Sequence, residues 1–281
     1  GDAFRLVEAA SSMAALAGLP QIFWLHGGGL VDFTHRHPSR VDRVLNRGSA
    51  WVAPSGFLAE PFRRRGFDVR VIPNVIDLAE YPYRHRPRAA PRLLWMRTFH
   101  DLYQPKLALR TLALLRETHP QATLTMAGQD KGLLAETRRL AAELGLTPGT
   151  NPGSDPAVRF PGLLDAEGKR REFAAADIFL NTNQVDNAPV SVLEAAAFGL
   201  PVVSTDVGGI PHLLRHGEEA LLVPPGNADA LVTSVRRLLD EPGLADRLST
   251  AGRKVAERSA WPQVLPLWSE LLASVHASAG P

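Results

Sequence analysis

Short apolar segments alternate with longer amphipathic segments along most of the chain. The short segments have the length of strands, and the longer ones have the period of helices. This alternation predicts parallel βα units with helices on both sheet faces, so we expect an α/β fold with doubly wound sheets. The predicted strands are 21–25, 51–53, 69–72, 92–95, 122–127, 178–181, 201–204 and 220–223. The predicted helices are 6–17, 38–47, 57–65, 105–118, 131–144, 168–176, 189–198, 228–239 and a last one from 261 to about 273.

The composition narrows the class of protein. The chain has 281 residues, of which 45% are hydrophobic and 21% are charged, as in soluble globular proteins. It contains no cysteine, which excludes disulfides and thiolate metal sites. No apolar run is long enough to cross a bilayer, and the first residues lack a secretory signal pattern. We therefore expect a cytoplasmic protein, with the inner face of the membrane as the alternative position.

The positive charge is concentrated in arginines, although the formal net charge is only +2. One cluster is residues 63–65, and a second comprises Arg84, Arg86, Arg88 and Arg92. We interpret both as solvated surface; the alternative is a patch that contacts anionic lipid or a phosphorylated acceptor. No nucleic-acid-binding motif is present, so we expect no nucleic-acid partner.

A break in the pattern falls between residues 77 and 91. This segment holds Pro82, Pro87 and Pro91 together with several arginines, and it shows no clear period. Such a composition is typical of the connection between two domains.

The stretch from residue 181 to residue 225 combines acidic groups with the start of a helix. Asp186 stands just before a predicted helix, and Glu194 lies inside it. A helix start exposes N–H groups and the positive end of the helix dipole, both of which attract anions. Carboxylates beside such groups predict a ligand that carries a phosphate with hydroxyl groups on either side.

The same stretch resembles the signature of the GT4 group of retaining, GT-B-fold glycosyltransferases. That signature is Glu, seven residues, Glu, then Ala-x-Ala-x-Gly-x-Pro-Val-Val, a Gly-Gly pair and Leu-Val-Pro-Pro. The chain has Asp186, seven residues and Glu194, the Ala-to-Val pattern over 195–203, Gly208-Gly209, and Leu-Val-Pro-Pro over 222–225. Asp186 replaces the usual Glu and keeps the charge on a shorter side chain, as in a GT4 subgroup that reads Asp-Asn-x-Pro-Val-Ser-Val.

The resemblance implies two Rossmann-like doubly wound domains facing a cleft, the first of them incomplete. It assigns 1–83 to a partial acceptor-side domain, 84–260 to the domain that binds the nucleotide sugar, and 261–281 to a helix that crosses back to the first domain. The first domain would then lack something on the order of 100 residues, less than one ordinary domain. Either the chain is a fragment or another segment supplies the missing strands.

The resemblance also implies how the donor phosphates are bound. Arg97 follows a predicted strand and resembles the family arginine that grips the diphosphate, a role that suits the fork of a guanidinium. Lys106 is either the family's partner lysine or an ordinary surface lysine. The segment Asn187-Ala188-Pro189-Val190-Ser191 begins a helix whose free N–H groups, those of Val190 and Ser191, would face the β-phosphate. An ordinary capped helix is the alternative for this segment.

The two carboxylates would bind hydroxyl groups, and neither is expected to be a nucleophile. Glu194 lies among small apolar residues and therefore needs a partner, which by resemblance is the ribose hydroxyl pair. Asp186 would bind hydroxyls of the donor sugar or lie beside the phosphates.

Several loops at predicted strand ends would border the ligand. His26 is followed by Gly27, Gly28 and Gly29, which let a backbone approach a ligand closely. By resemblance this loop faces the donor across the cleft, and His26 could form a hydrogen bond with the sugar. An exposed turn is the alternative, while a hydrolase oxyanion loop would need a G-x-S-x-G motif that the sequence lacks. By resemblance, Gly128, Gly162 and Leu163 border the nucleotide.

The implied activity is retaining transfer of a sugar from a nucleotide-diphosphate donor, with UDP or GDP as its nucleotide, to a glycan or glycolipid acceptor in polysaccharide synthesis. The sequence has no D-x-D pair, so we expect no metal and no cofactor beside the donor substrate. The alternative is a nucleotide-binding module without catalysis.

Overall fold

A computed structural model of the chain describes residues 2–27, 29–146 and 156–278. The chain falls into two compact units, Gly1–Val75 with Trp261–Pro281, and Ile76–Ala260. Each unit is built around a sheet in which every strand pairing is parallel. The predicted α/β class is therefore confirmed.

The first unit contains a three-stranded sheet in the order β1-β2-β3. Its strands are β1 (Ile22–Trp24), β2 (Ala50–Ala53) and β3 (Val69–Val71), and its first helices are α1 (Asp2–Leu16), α2 (Leu30–Arg36), α3 (Pro38–Leu45) and α4 (Gly56–Arg63). Successive residues of a strand point to opposite sheet faces. Ala53 accordingly packs in a cluster with Leu58 and Phe62 of α4, whereas Val52 belongs to a separate cluster.

The second unit contains a six-stranded sheet in the order β6-β5-β4-β7-β8-β9. Its strands are β4 (Arg92–Met96), β5 (Thr123–Ala127), β6 (Val158–Gly162), β7 (Ile178–Asn181), β8 (Val202–Thr205) and β9 (Leu221–Val223). Its helices are α5 (Pro105–Arg116), α6 (Leu134–Glu143), α7 (Ala166–Ala175), α8 (Val190–Ala197), α9 (Ile210–Leu213), α10 (Ala228–Asp240) and α11 (Leu244–Arg258). The strand order reverses between β4 and β7, and open parallel sheets bind ligands at the carboxyl ends of the strands beside such a reversal.

Apolar cores lie on both faces of this second sheet. Leu93 and Trp95 of β4 belong to one core cluster, and the alternate residues Leu94 and Met96 belong to the other. Val192 of α8 lies in the second cluster. Both faces of β4 are thus covered, as the near-continuous apolar run of this strand predicts.

The last helix, α12 (Trp261–Ser278), belongs to the first unit. Its residues Val264 and Leu271 are buried in one cluster with Val52 of β2 and Ile72. This cluster lies on the sheet face opposite to the one that α4 covers.

The segment between the first unit and β4 is packed rather than free. Ile76 donates its N–H to the Ser259 carbonyl at 2.9 Å, and both residues belong to the second unit. The division between the two units therefore lies at 75/76 and not after residue 83, where the sequence prediction placed it.

Arg86 is 1% exposed, and burial lowers its pKa to about 10. Its guanidinium donates to the carbonyls of Phe173, Ala176 and Phe198 at the C-terminal ends of α7 and α8. The interpretation of Arg86 as solvated surface is therefore wrong, because it satisfies helix-end carbonyls that otherwise lack partners.

Two neighbouring arginines of that cluster stay partly exposed but pair with a buried carboxylate. Arg84 and Arg92 donate to the two oxygens of Asp177 at 2.9 and 2.6 Å, and Asp177 is 2% exposed. A buried carboxylate needs such partners.

The prediction lacked helices α2, α9 and α11 and strand β6, and the two latter omissions have a local cause. Strand β6 has Arg159 and Pro161 in its sequence, which interrupt the apolar run; proline is tolerated because β6 is the edge of the sheet. Helix α11 contains Gly252 and the buried polar Ser249, which weaken its helical pattern.

Candidate functional site

Arg97 lies at the strand reversal, directly after β4, and its guanidinium is held from several sides. One Nη donates to Ser191 Oγ at 2.8 Å, and the other is bonded to Asp186 Oδ2. The ring of Tyr103 lies under the guanidinium, 4.2 Å from its central carbon. The Nε atom is buried and has no partner among the described residues. We call these four residues the Arg97 cluster.

Asp186 has hydrogen bonds on both carboxylate oxygens. Oδ2 accepts from Asn183 Nδ2 at 2.5 Å as well as from Arg97, and Oδ1 accepts from the N–H of Asn187 at 2.8 Å. Asp186 therefore orients Arg97 in this structure. Its sequence-predicted contact with donor-sugar hydroxyls stays a prediction.

The turn that carries Asp186 depends on the Gly208-Gly209 pair. Gly209 donates its N–H to the Asp186 carbonyl at 2.8 Å. A Cβ atom would lie 2.0 Å from that carbonyl oxygen at Gly208 and 1.6 Å from the Asn187 carbonyl oxygen at Gly209. Any side chain at either position would displace the turn, so this part of the signature serves close backbone approach.

The start of helix α8 lies beside the same cluster. Its N-cap residue is Pro189, and this residue makes no side-chain cap hydrogen bond. The first N–H groups of a helix have no partner within it. Those of Val190 and Ser191 are thus placed at the positive end of the helix, as the sequence analysis expected, next to the Arg97 guanidinium.

Glu194 lies one turn further along α8 and is 6% exposed. Its Oε1 accepts from Lys169 Nζ of α7 at 3.0 Å and from the Tyr81 hydroxyl at 3.3 Å. Burial and the Glu194 charge raise the pKa of Tyr81 to about 12. Together with Ala166, Arg170, Glu80 and Phe198, these three residues line a cavity of about 250 Å³. We call Tyr81, Lys169 and Glu194 the Glu194 cluster.

The predicted nucleotide-bordering glycines lie at the carboxyl ends of the neighbouring strands. Gly128 has φ +150, and a Cβ atom there would lie 1.9 Å from the Arg97 carbonyl oxygen. Its N–H donates to the Gly162 carbonyl at 2.8 Å. Leu163 follows with 73% exposure. Gly128 thus lets the ends of β4, β5 and β6 meet beside Arg97.

Lys106 is not brought to the Arg97 cluster by any hydrogen bond of the described residues. Its Nζ bonds Glu136 Oε1 of α6 at 2.6 Å, and its side chain is 34% exposed. Its role at the phosphates stays a prediction.

His26, Gly27 and Gly29 lie in the first unit, and Gly28 lies outside the described residues. The His26 ring packs against Trp24 with centroids 4.3 Å apart, and burial lowers its pKa. Gly27 has φ +98, and Gly29 immediately precedes α2. Their role at the donor sugar stays a prediction.

The sequence analysis missed three members of the two clusters, Tyr81, Tyr103 and Lys169, and it missed Asn183, which bonds Asp186. Asn183 follows a predicted strand, which is a usable signal. Tyr81 and Lys169 meet Glu194 only through packing of distant segments, and no local pattern marks them.

Two further features concern membranes and metals. None of the helices in ranges 2–27, 29–146 and 156–278 is long and apolar enough to span a membrane. Within the same ranges, no group of three or more His, Cys, Asp or Glu side chains could hold a metal ion.

Comparison with known proteins gives concordant results. The family model "Glycosyl transferases group 1" matches residues 90–255. Glycogen synthase of Mycobacterium tuberculosis is 30% identical over 198 residues, covering 66% of this chain and 44% of that protein. D-inositol 3-phosphate glycosyltransferase of Pseudarthrobacter chlorophenolicus is 26% identical over 252 residues, covering 84% of this chain and 57% of that protein. The chain thus spans about half the length of these curated relatives.

Solved structures show the same fold. Anabaena HepE in complex with UDP superimposes with a TM-score of 0.82 at 19% identity, covering 96% of this chain and 76% of that one. Sucrose-phosphate synthase of Thermosynechococcus elongatus gives a TM-score of 0.77 at 21% identity, covering 97% and 78%. These neighbours are GT-B glycosyltransferases, which agrees with the predicted fold class. Since the family match also covers more than half of the chain, the chain belongs to the glycosyl transferases group 1 family.

Proposed function

We propose that the chain belongs to a retaining, metal-independent glycosyltransferase of the GT4 group. It moves a sugar from a nucleotide-diphosphate sugar to a glycan or lipid-linked acceptor. The sugar is a hexose, as is usual in this group. One observation carries the proposal: Arg97 is fixed at the start of α8, one turn from the buried carboxylate of Glu194.

The phosphate end of the donor requires positive charge. When the bond between sugar C1 and the β-phosphate oxygen breaks, negative charge grows on that phosphate and positive charge on the sugar ring. Arg97 and the N–H groups of Val190 and Ser191 supply donors for the phosphate. Because the guanidinium is already oriented by Asp186 and Ser191, little reorganisation is needed when the donor binds.

The hydroxyl groups of the donor require acceptors. Glu194 accepts the ribose hydroxyls, and Asp186 lies toward the donor sugar and the phosphates. The backbone at Gly128, Gly162 and Leu163 borders the base. In a retaining reaction the acceptor oxygen attacks C1 on the face that the phosphate leaves, and the leaving phosphate oxygen takes the acceptor's proton.

The donor is a uridine or guanosine diphosphate sugar, and no cofactor or metal is needed beside it. UDP is the first candidate, because HepE was solved with UDP. We place the protein in the cytoplasm, where a glycolipid acceptor would bring it to the anionic inner face of the membrane, in polysaccharide synthesis.

Calorimetric titration of UDP and of GDP in excess EDTA tests the phosphate site. We expect one of them to bind without metal, and Arg97→Met to weaken it by about 10-fold or more, since hydrogen bonds to charged groups contribute about 1.5–3 kcal/mol. Arg138→Met is the control, because Arg138 also lies over an aromatic ring, that of Phe160, but outside both clusters. Binding that disappears in EDTA and returns with magnesium would show that the phosphate assignment is wrong.

Proton NMR of glucose released from UDP-glucose, with water as acceptor, tests the reaction. Retention predicts that the α-anomer appears first. An initial β-anomer contradicts the retaining assignment. Binding of UDP without any release supports the alternative, a nucleotide-binding module without catalysis.

A further inference from the structure

The two oxygens of the Glu194 carboxylate differ in their protein hydrogen-bond partners. Lys169 Nζ and the Tyr81 hydroxyl both bond Oε1, at 3.0 and 3.3 Å. Among the described residues, no hydrogen bond reaches Oε2. One oxygen of this carboxylate is therefore occupied by the protein, and the other is left for a ligand.

The two donors come from segments unrelated to α8. Tyr81 belongs to the segment that precedes β4, and its ring packs edge-on against Phe198, with centroids 5.5 Å apart. Lys169 comes from α7, and its side chain is 40% exposed. Three elements thus fix the rotamer of Glu194, and Lys169 brings the positive charge that a buried carboxylate requires.

The neighbouring charges of the cavity are already paired. Arg170 bonds Glu80 at 2.8 Å, and both of these side chains are largely exposed. Arg171, next along α7, pairs with Glu167 at 3.6 Å in solvent. Of these three consecutive cations, Lys169 is the one that bonds Glu194.

We propose that Lys169 and Tyr81 are positioning residues for nucleotide binding: by holding Oε1 of Glu194, they aim Oε2 at the ribose hydroxyls of the donor. This inference rests on the proposed function. It predicts that Lys169 matters only for nucleotides that carry ribose hydroxyls, because it acts through Glu194 and not on the phosphates.

Titration of UDP and of 2′,3′-dideoxy-UDP against matched variants tests the inference. Lys169→Met keeps the stem and removes the charge; we expect it to weaken UDP binding by about tenfold and to leave dideoxy-UDP unchanged. Lys169→Arg should restore UDP affinity to within about threefold of the wild type. Arg171→Met removes one positive charge from the same helix and should leave both ligands unchanged.

Tyr81→Phe removes the weaker donor and keeps the ring. We expect about a threefold loss for UDP, and none for dideoxy-UDP, because a neutral hydroxyl contributes less than a charged donor. In the background of Glu194→Gln, the effect of Lys169→Met should disappear, since the two residues act as one unit.

The outcomes separate this inference from the function on which it rests. If UDP and GDP fail to bind the wild-type protein, both proposals are overturned. If UDP binds and Glu194→Gln weakens it, but Lys169→Met behaves like Arg171→Met, only the positioning role is overturned. Equal losses for UDP and dideoxy-UDP, or additive effects of the two substitutions, likewise overturn it. Should Lys169→Met fail to fold, the Tyr81→Phe and Lys169→Arg titrations decide by the same ligand comparison.

Discussion

Replacing Glu194 by Gln separates a ligand-binding carboxylate from a structural one. The substitution removes the charge but nearly preserves the shape of the side chain. Its amide oxygen can still accept a hydrogen bond from Lys169 or Tyr81. Lys169 is 40% exposed, so its ammonium group can regain water when the partner charge is lost. We therefore expect Glu194→Gln to fold and to melt close to the wild type.

The expected loss of affinity follows from the number and kind of hydrogen bonds. The wild-type Oε2 has no protein partner in the described part of the chain and is available to ribose hydroxyls. A hydrogen bond to a charged group contributes about 1.5–3 kcal/mol, so its loss should raise the dissociation constant for UDP by about 10- to 150-fold. The dissociation constant for UDP should therefore change by a large factor, while the melting temperature stays close to that of the wild type.

Calorimetry with UDP gives the affinity, and thermal melting gives the stability of the same samples. Glu172→Gln is the matched control: Glu172 lies on α7, its side chain is 15% exposed, and it bonds Arg159 at 2.5 Å, outside both clusters. The control should leave UDP affinity unchanged. If Glu194→Gln binds UDP as the wild type does but melts well below it, Glu194 is a structural residue and the ribose assignment is refuted.

Two further predictions concern the segment that precedes β4. The pKa of Tyr81, about 12, lies above the ordinary value of 10, so the folded state resists its ionisation; stability should fall as the pH rises from 10 towards 12. Absorbance titration of tyrosinate should show the raised pKa of Tyr81, and denaturation at each pH should show the fall in stability. Glu194→Gln should lower the pKa of Tyr81 without restoring the ordinary value, because burial is the largest cause of the shift. Arg86→Met should lower the free energy of unfolding by about 3 kcal/mol, because several buried carbonyls lose their donor; urea denaturation measures it, and a change below 1 kcal/mol would contradict the role of Arg86.

The strands of the second unit were largely predictable because their chemistry is local. Strands β4 and β7 are buried on both faces, so their sequences are continuous apolar runs. Strand β6 lies at the sheet edge, where one side needs no partner strand, and its Arg159 and Pro161 obscure the apolar signal. Sequence patterns report the burial of a strand more clearly than its existence.

Without the family resemblance, which pointed to Arg97, the candidate site was predictable only where its residues are close in sequence. Asp186 and Glu194 flank the start of one helix, and their spacing already indicated a shared ligand. Lys169 and Tyr81 approach Glu194 from 25 and 113 positions away, so only tertiary packing brings them there. The arginine at position 86 was misread for the same reason: its partners are helix-end carbonyls far along the chain.

The signature itself has two physical parts. Gly208 and Gly209 are required by carbonyl oxygens that approach within 2.0 Å of where a Cβ atom would stand, so they fix the turn at Asp186. Ser191 and Asp186 then fix Arg97. Much of the conspicuous pattern therefore maintains the shape of the turn and the orientation of one cation, while the carboxylate of Glu194 is held by residues outside the pattern. The pattern alone consequently predicts that an anion binds here; how Glu194 meets the rest of the ligand depends on α7 and on the segment before β4.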